Sequence, residues 1–424
     1  MTDFPQLFRV RQQFARPRVA DVAAEVHSQL ARLELHRIVQ PGQSVAITAG
    51  SRGIAQIAVI LRAAANYFQA LGARPFLVPA MGSHGGATAE GQLEVLASCG
   101  ITEAGVGCPI RASMETAIIG RSALGFPLHA DRLACEADHL LVCGRVKPHT
   151  SLAGDFQSGL MKMLLIGLGK HLGACIYHRA IEDFGFDSIV RGVAGEVLRK
   201  CRVVAGLAVV ENAYDETALI EAVPPDEFEA REPVLLGQAR QWMARLPFDA
   251  VDVLVIDRMG KNISGVGFDP NVVGRKFNDH QAISGETPKI KRICLRGLTP
   301  QSHGNAIGLG MAEFCRTQLL RDMDQRATRV NALTSGHIAA GMIPPAYDSD
   351  REMLTAALGT IGLVEPAAAR LLWIADTLDL AEVECSVAYL DEARRREDLE
   401  IIGLPSEMVF DEAGNRVGRV RKSD

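Results

Sequence analysis

Between Arg145 and Ala180 the chain reads RVKPHTSLAGDFQSGLMKMLLIGLGKHLGACIYHRA, which brings His149, Lys162 and His178 into a short span rich in glycine and small residues. An imidazole takes or gives a proton near neutral pH without a large shift of its pKa, so His149, held behind the stiff ring of Pro148, is an acid–base candidate. His84, between glycines in GSHGG, is the second. Lys162 lies inside the apolar run LMKMLLIGL, where burial would lower its pKa and make its amine a nucleophile; a surface lysine that snorkels is the plainer alternative. His178 is the metal-ligand candidate, because a neutral imidazole is the commonest protein ligand for a transition metal, although a single helical histidine can also be structural. Cys175, three residues earlier, is the cysteine nearest to that chemistry. Arg52, in the loop AGSRG beside Ser51, offers a fork suited to a carboxylate or phosphate. Further cations, Lys147, Arg275 and Lys276, fit a small anionic substrate, the last two from the glycine-containing loop 261–276.

These residues need a scaffold, and the chain alternates strands with helices. SVAIT (44–48), RPFLVPA (74–80), HLLVCG (139–144) and VVAGLAVVENA (203–213) read as buried strands. The segment from Ile54 has helical length and ends on Gly72, Thr88 can cap a helix running to about Cys99, and SIVRGVAGEVLRKC reads as another helix. Strands separated by helices imply an α/β fold with a mainly parallel sheet covered on both faces. Ligands of such sheets bind beyond the carboxyl ends of the strands. The loops bearing Arg52, His84 and His149 each follow a strand, so the three basic side chains should converge on one sheet edge.

A second α/β domain opens near Pro247 with the strand VDVLVID (251–257), followed by KIKRICLRGL, a helix across AIGLGMAEFCRTQLLRDM and a late strand in AEVECSVAYL. The expected layout is therefore an N-terminal cofactor-binding domain, 1–246, and a C-terminal domain, 247–424, with the active site in the cleft between them. The tail from about residue 398 carries the turn signal DEAGN and is expected to form a hairpin that packs back on the first domain.

Composition narrows the functions further. The 424 residues carry a formal charge of −5 and are 48% hydrophobic, which gives no electrostatic reason to expect nucleic acid or an anionic membrane surface. No apolar run approaches the roughly 18 residues of a membrane span, and the N-terminal stretch lacks the apolar core of a signal peptide. The nine cysteines are odd in number and show no CxxC spacing, as expected of reduced thiols in the cytoplasm.

The ordered motifs resemble the nickel-pincer-nucleotide-dependent lactate racemase family and its 2-hydroxyacid racemase and epimerase relatives. His84 matches the family's GSH-type loop, and Pro148, His149, Ala153, Gly154, Ser158, Gly159 and Lys162 match its PH…AG…SG…K segment. The resemblance implies that Lys162 joins covalently to the cofactor, a nickel-bearing pyridinium-3-thioamide-5-thiocarboxylic acid mononucleotide. It implies that His178 binds the nickel and that Ser51, Arg52 and Gly159 contact the cofactor. His84 and His149 would be the catalytic acid–base pair, with Arg52, Lys147, Arg275 and Lys276 on the substrate. Cofactor-synthesis proteins would be partners, and oligomeric state is not implied. Ala49 stands where lactate racemase has an aspartate, the span from His149 to Lys162 is three residues longer, and DPNVVGRK replaces a Tyr-Gln…Lys arrangement. These departures and the extra cations favour a larger, dicarboxylic or sugar 2-hydroxy acid over lactate. Two other functions fit the residues alone: a zinc or iron hydrolase or lyase using His84, His149 and His178, and a non-catalytic binding protein for small acids.

Overall fold

The computed structural model describes residues 4–51 and 53–418, which divide into two compact units, one of 15–243 and one of 4–14 with 244–418. In the first unit the sheet order is Arg74–Pro79, Ser44–Ala49, His139–Arg145, Val203–Glu211, Thr217–Val223; the first four strands are parallel and the last is antiparallel. Period-two alternation sends successive side chains to opposite faces. Ala46, Val78, Leu140, Val142, Ala208 and Val210 pack on one face with the helices Leu160–Phe184, Phe186–Lys200 and Phe228–Trp242. Val45, Ile47, Leu77, Leu141, Leu207 and Val209 pack on the other with Val22–Arg32 and Ile57–Ala70. Both faces are therefore dry, which is why these strands read as unbroken apolar runs. Thr88 caps Ala89–Ser98 by accepting the Gly91 N–H at 3.0 Å, as its position suggests.

The helix Leu160–Phe184 has the length and mean hydropathy, 1.3, of a membrane span, an apolar stretch that the sequence reading passed over. Leu160, Leu164, Leu165, Leu168 and Tyr177 lie in the core of the first unit, and that burial accounts for the composition. The helix is not uniform. A π-turn occupies Met163–Gly167, and Lys170 breaks the α-helical path at φ 54°, ψ −164°. That region is nearly reserved for glycine and costs on the order of 1–3 kcal/mol.

The second unit holds an eight-stranded sheet in the order Ala346–Tyr347, Phe314–Arg316, Lys289–Leu298, Ala250–Met259, Leu371–Ile374, Glu382–Ser386, Leu7–Gln12, Leu399–Ser406. Strands are parallel up to Leu371–Ile374 and antiparallel beyond it. Three sequence expectations change here. The N-terminal strand belongs to this unit and not to the first, because Leu7–Gln12 fills the place between Glu382–Ser386 and Leu399–Ser406. The tail accordingly pairs with that strand within the second unit, and its hairpin reduces to a tight turn closed by the Phe410–Arg416 bridge. The helix expected across 306–323 is instead a single 3-10 turn, the strand Phe314–Arg316 and the helix Thr317–Asp322. Gly308, at φ +98°, explains the break: a side chain there would collide with the Val266 carbonyl oxygen.

Candidate functional site

Three strand ends of the first unit, at Ala49, Pro79 and Arg145, open into the loops that carry Ser51, His84 and His149. The long helix begins directly over them, and missing side chains permit the approach. A β-carbon on Gly50 would meet the Met163 methyl at 3.3 Å, one on Gly144 would meet it at 3.6 Å, and one on Gly167 would lie 2.7 Å from the Ala80 carbonyl oxygen. Met163 thus rests against two of the strand ends and Gly167 against the third, and Lys162, next to Met163 in the chain, is half-buried.

His84 is exposed, and its Nδ1 lies 2.5 Å from the Ser51 hydroxyl, so two strand-end loops are joined through one short contact. The Ser51 loop is held in turn by Glu211, which accepts the Ala55 N–H at 2.6 Å and pairs with Arg145. Arg52 lies outside the described residues. His149 is turned into its own loop. Its Nδ1 accepts from the backbone N–H of Ser151 at 3.1 Å and of Leu152 at 3.0 Å, and its own N–H donates to Gln157 at 2.9 Å. An Nδ1 engaged as acceptor assigns the proton of the neutral ring to Nε2. Lys147 and Ser158 exchange backbone hydrogen bonds of 3.0 and 3.2 Å that close the neck of this loop.

His178 has its pKa lowered, first by desolvation and then by the Lys162 ammonium, with Glu182 acting the other way. His178 itself is exposed at the surface of the helix. A neutral imidazole beside an amine is a ready nitrogen donor. Among the described residues no group of three or more His, Cys, Asp and Glu side chains forms a metal cage. A metal at His178 would therefore bring most of its ligands with it. The Cys175 thiol lies 3.8 Å from the His171 ring.

Several buried polar groups under this site were not visible to sequence reasoning. Lys170 and Asp131, both without solvent exposure, form an ion pair at 2.8 Å, and Lys170 also donates to the Pro79 carbonyl at 2.6 Å. Glu232 reaches from the helix Phe228–Trp242 to the start of the long helix and accepts the Met161 N–H at 2.9 Å. Burial pushes its pKa up to about 7, partly offset by the Met161 and Leu160 N–H groups. Its carboxyl carbon would be 2.5 Å from a β-carbon on Gly159. Gly159 was expected to leave room for a cofactor; the space beside its α-carbon is filled by Glu232 instead. The only sequence hint of these groups was a charged residue between glycines in GLGKHLG, which fits many other situations.

In the second unit Arg275 is 1% exposed and pairs in a fork with Glu313 at 2.9 and 3.1 Å. It also donates to the Met311, Ile290 and Asp279 carbonyls. Its Nη groups are all taken up by protein oxygens, one on the strand Lys289–Leu298 and the others in the turns beside it, which argues against its expected role on substrate. Lys276 remains half-buried, its ammonium 5.9 Å from the Phe277 ring centre. Lys261, a further loop cation, donates to the Gly265 carbonyl and to Asn331.

The first unit is thus an α/β fold in which His84 meets Ser51 at the carboxyl edge of a parallel sheet, with the His149 loop following a neighbouring strand. The whole chain is similar in fold to the lactate racemase apoprotein from Thermoanaerobacterium thermosaccharolyticum, with a TM-score of 0.51 and 14% identity over 87% of this chain and 94% of that chain. No protein-family model matches the chain, and no curated protein matches it in sequence.

Proposed function

We propose that this chain is an isomerase that inverts the hydroxyl-bearing carbon of a 2-hydroxy acid, with a nickel-pincer nucleotide tethered to Lys162. The observation that supports the reading is His178 close enough to Lys162 to feel its charge, on a helix whose Met163 packs against the strand ends at Gly50 and Gly144, in a fold similar to a lactate racemase apoprotein. When bound, the cofactor would supply a reversible acceptor for the hydride of the substrate carbon. The residues present fit such a group: one amine for attachment, one neutral imidazole for the metal, and no protein cage among the described residues that would compete for it.

The chain's own part is orientation and proton transfer. His84 stands at the sheet edge with its Nδ1 toward the Ser51 hydroxyl, an arrangement that can fix the ring while its Nε2 takes the hydroxyl proton of the substrate. His149, with Nδ1 engaged by Ser151 and Leu152, would present an Nε2–H donor from the neighbouring loop. The histidines therefore start in different roles and would exchange them for the opposite enantiomer, which requires the His149 loop to release Nδ1. Arg52 would hold the substrate carboxylate. Arg275, one of the cations that favoured a larger or doubly charged acid, is instead committed to Glu313.

Intact mass and nickel content of protein co-produced with the cofactor-synthesis proteins test this reading. An added mass on Lys162, near-stoichiometric nickel and racemisation of a 2-hydroxy acid are expected, all lost in Lys162→Ala. An unmodified chain from a host that loads a positive control overturns it. A hydrolase or binding protein built on the same histidines would keep its activity in Lys162→Ala.

A further inference from the structure

Gln92 is a polar side chain with no solvent exposure, on a helix where a methionine or leucine would fill the same space. Its amide is fully engaged: Nε2 donates to the Gly82 carbonyl at 3.0 Å and more weakly to the His84 carbonyl at 3.4 Å, while Oε1 faces the Lys170 ammonium at 3.4 Å. Lys170 continues the chain of contacts to the Pro79 carbonyl and to Asp131, whose Oδ1 accepts the Ala134 N–H at 2.9 Å. A connected polar path therefore runs from a buried carboxylate to the main chain of His84. Asp131, Lys170 and Gln92 have no solvent exposure, so none of the three meets substrate directly.

The path crosses the break in the long helix. Lys170 keeps a backbone conformation nearly reserved for glycine, which persists only where its surroundings over-determine it. The residue lies between Lys162 and His178 in sequence, on the element that would carry both tether and metal ligand. The His84 loop is closed by short turn bonds, among them the His84 N–H to the Met81 carbonyl at 3.1 Å, while Gly82, Gly85 and Gly86 all have positive φ. It is tied to the long helix by the Gly82 N–H to Gly167 carbonyl bond of 3.2 Å and, through Gln92, by the contact with Lys170.

We infer that Gln92, backed by the Lys170–Asp131 pair, is a positioning residue that sets His84 relative to the helix of Lys162 and His178, an inference that rests on His84 acting on substrate. A group that takes the hydroxyl proton of a substrate whose carbon faces a second element must keep that spacing within about 0.5 Å. A buried ion pair fixed at both ends supplies that constraint better than a glycine-rich loop can.

The test compares Gln92→Met with Leu96→Met, a change on the same helix at an equally buried site that has no contact with His84 in this network. Hydrogen exchange over residues 80–88 is measured on cofactor-free protein, and turnover is measured on loaded protein at quantified Lys162 adduct. Gln92→Met should exchange at least tenfold faster over 80–88 and lose at least tenfold in kcat at equal adduct with KM little changed, while Leu96→Met does neither. Unaltered exchange in Gln92→Met, or the same rise in Leu96→Met at matched loss of Tm, overturns the inference. Absence of adduct from the wild-type protein defeats the functional reading alone, and the exchange result still decides what Gln92 does.

Discussion

A carboxyl group sealed from water keeps its proton unless something charged compensates, and Glu232 has only two backbone N–H groups to do so. Its folded pKa of about 7 lies above the ordinary 4.5, so folding takes up a proton between those values. Its contribution favours the folded state at low pH and fades as pH rises from about 4.5 through 7, by on the order of 3 kcal/mol in all. Glu232→Gln keeps an oxygen for the Met161 N–H and cannot ionise. Its stability relative to wild type should climb from pH 5 to pH 8 in urea melts, and parallel curves for the two proteins would exclude a titrating Glu232. Gly159→Ala should cost about 1–3 kcal/mol by driving a methyl group into that carboxyl, and a smaller residue at 232 should recover part of it. His337 titrates in the opposite sense to a buried histidine, since the Asp279 carboxylate at 2.7 Å raises its pKa. That pairing stabilises the second unit below the ordinary histidine pKa and is lost as pH rises through the raised one. His337→Gln should therefore cost more at pH 5.5 than at pH 8.5 in the same melts.

At the scale of elements, the long helix decides whether the site exists. Sixteen residues at about 1.5 Å and 100° each would leave Lys162 and His178 about 24 Å apart along an unbroken α-helix and about 160° apart around it. The π-turn Met163–Gly167 and above all the break at Lys170 turn the chain off that straight path, and the Lys162 charge contributes to lowering the His178 pKa. The Asp131–Lys170 pair holds the break. Asp131→Asn leaves a buried ammonium without its counter-charge and should lower stability by about 3–5 kcal/mol in chemical denaturation. Stability within about 1 kcal/mol of wild type would mean that the helix keeps its broken path without the pair.

For the whole molecule, chain order and structural unit do not coincide. Leu7–Gln12 completes a sheet whose other strands all come after Ala244. A chain that starts at residue 244 lacks the strand that joins Glu382–Ser386 to Leu399–Ser406 and leaves both of those edges unpaired. The fragment 15–243 keeps all five strands of its sheet and both apolar layers. It should unfold cooperatively alone, whereas 244–424 should be aggregated or molten by near-UV circular dichroism. Adding 1–14 as a peptide or by fusion should restore order to the second fragment.

The amino-acid sequence alone determined the strands Ser44–Ala49, Arg74–Pro79, His139–Arg145 and Val203–Glu211, because burial on both faces writes an unbroken apolar run into each. It also placed His84 and His149 after strands, and Thr88 at a helix start, since caps and strand ends are local chemistry. Tertiary structure alone decided that Arg275 is an internal clamp, since Glu313 and the carbonyls it binds lie far along the chain and nothing near GRK announces them. It also decided which sheet received Leu7–Gln12, the phase between Lys162 and His178, and the burial of Lys170, Asp131, Gln92 and Glu232. Each of those depends on desolvation or pairing by residues distant in sequence, which no local pattern of residue types records.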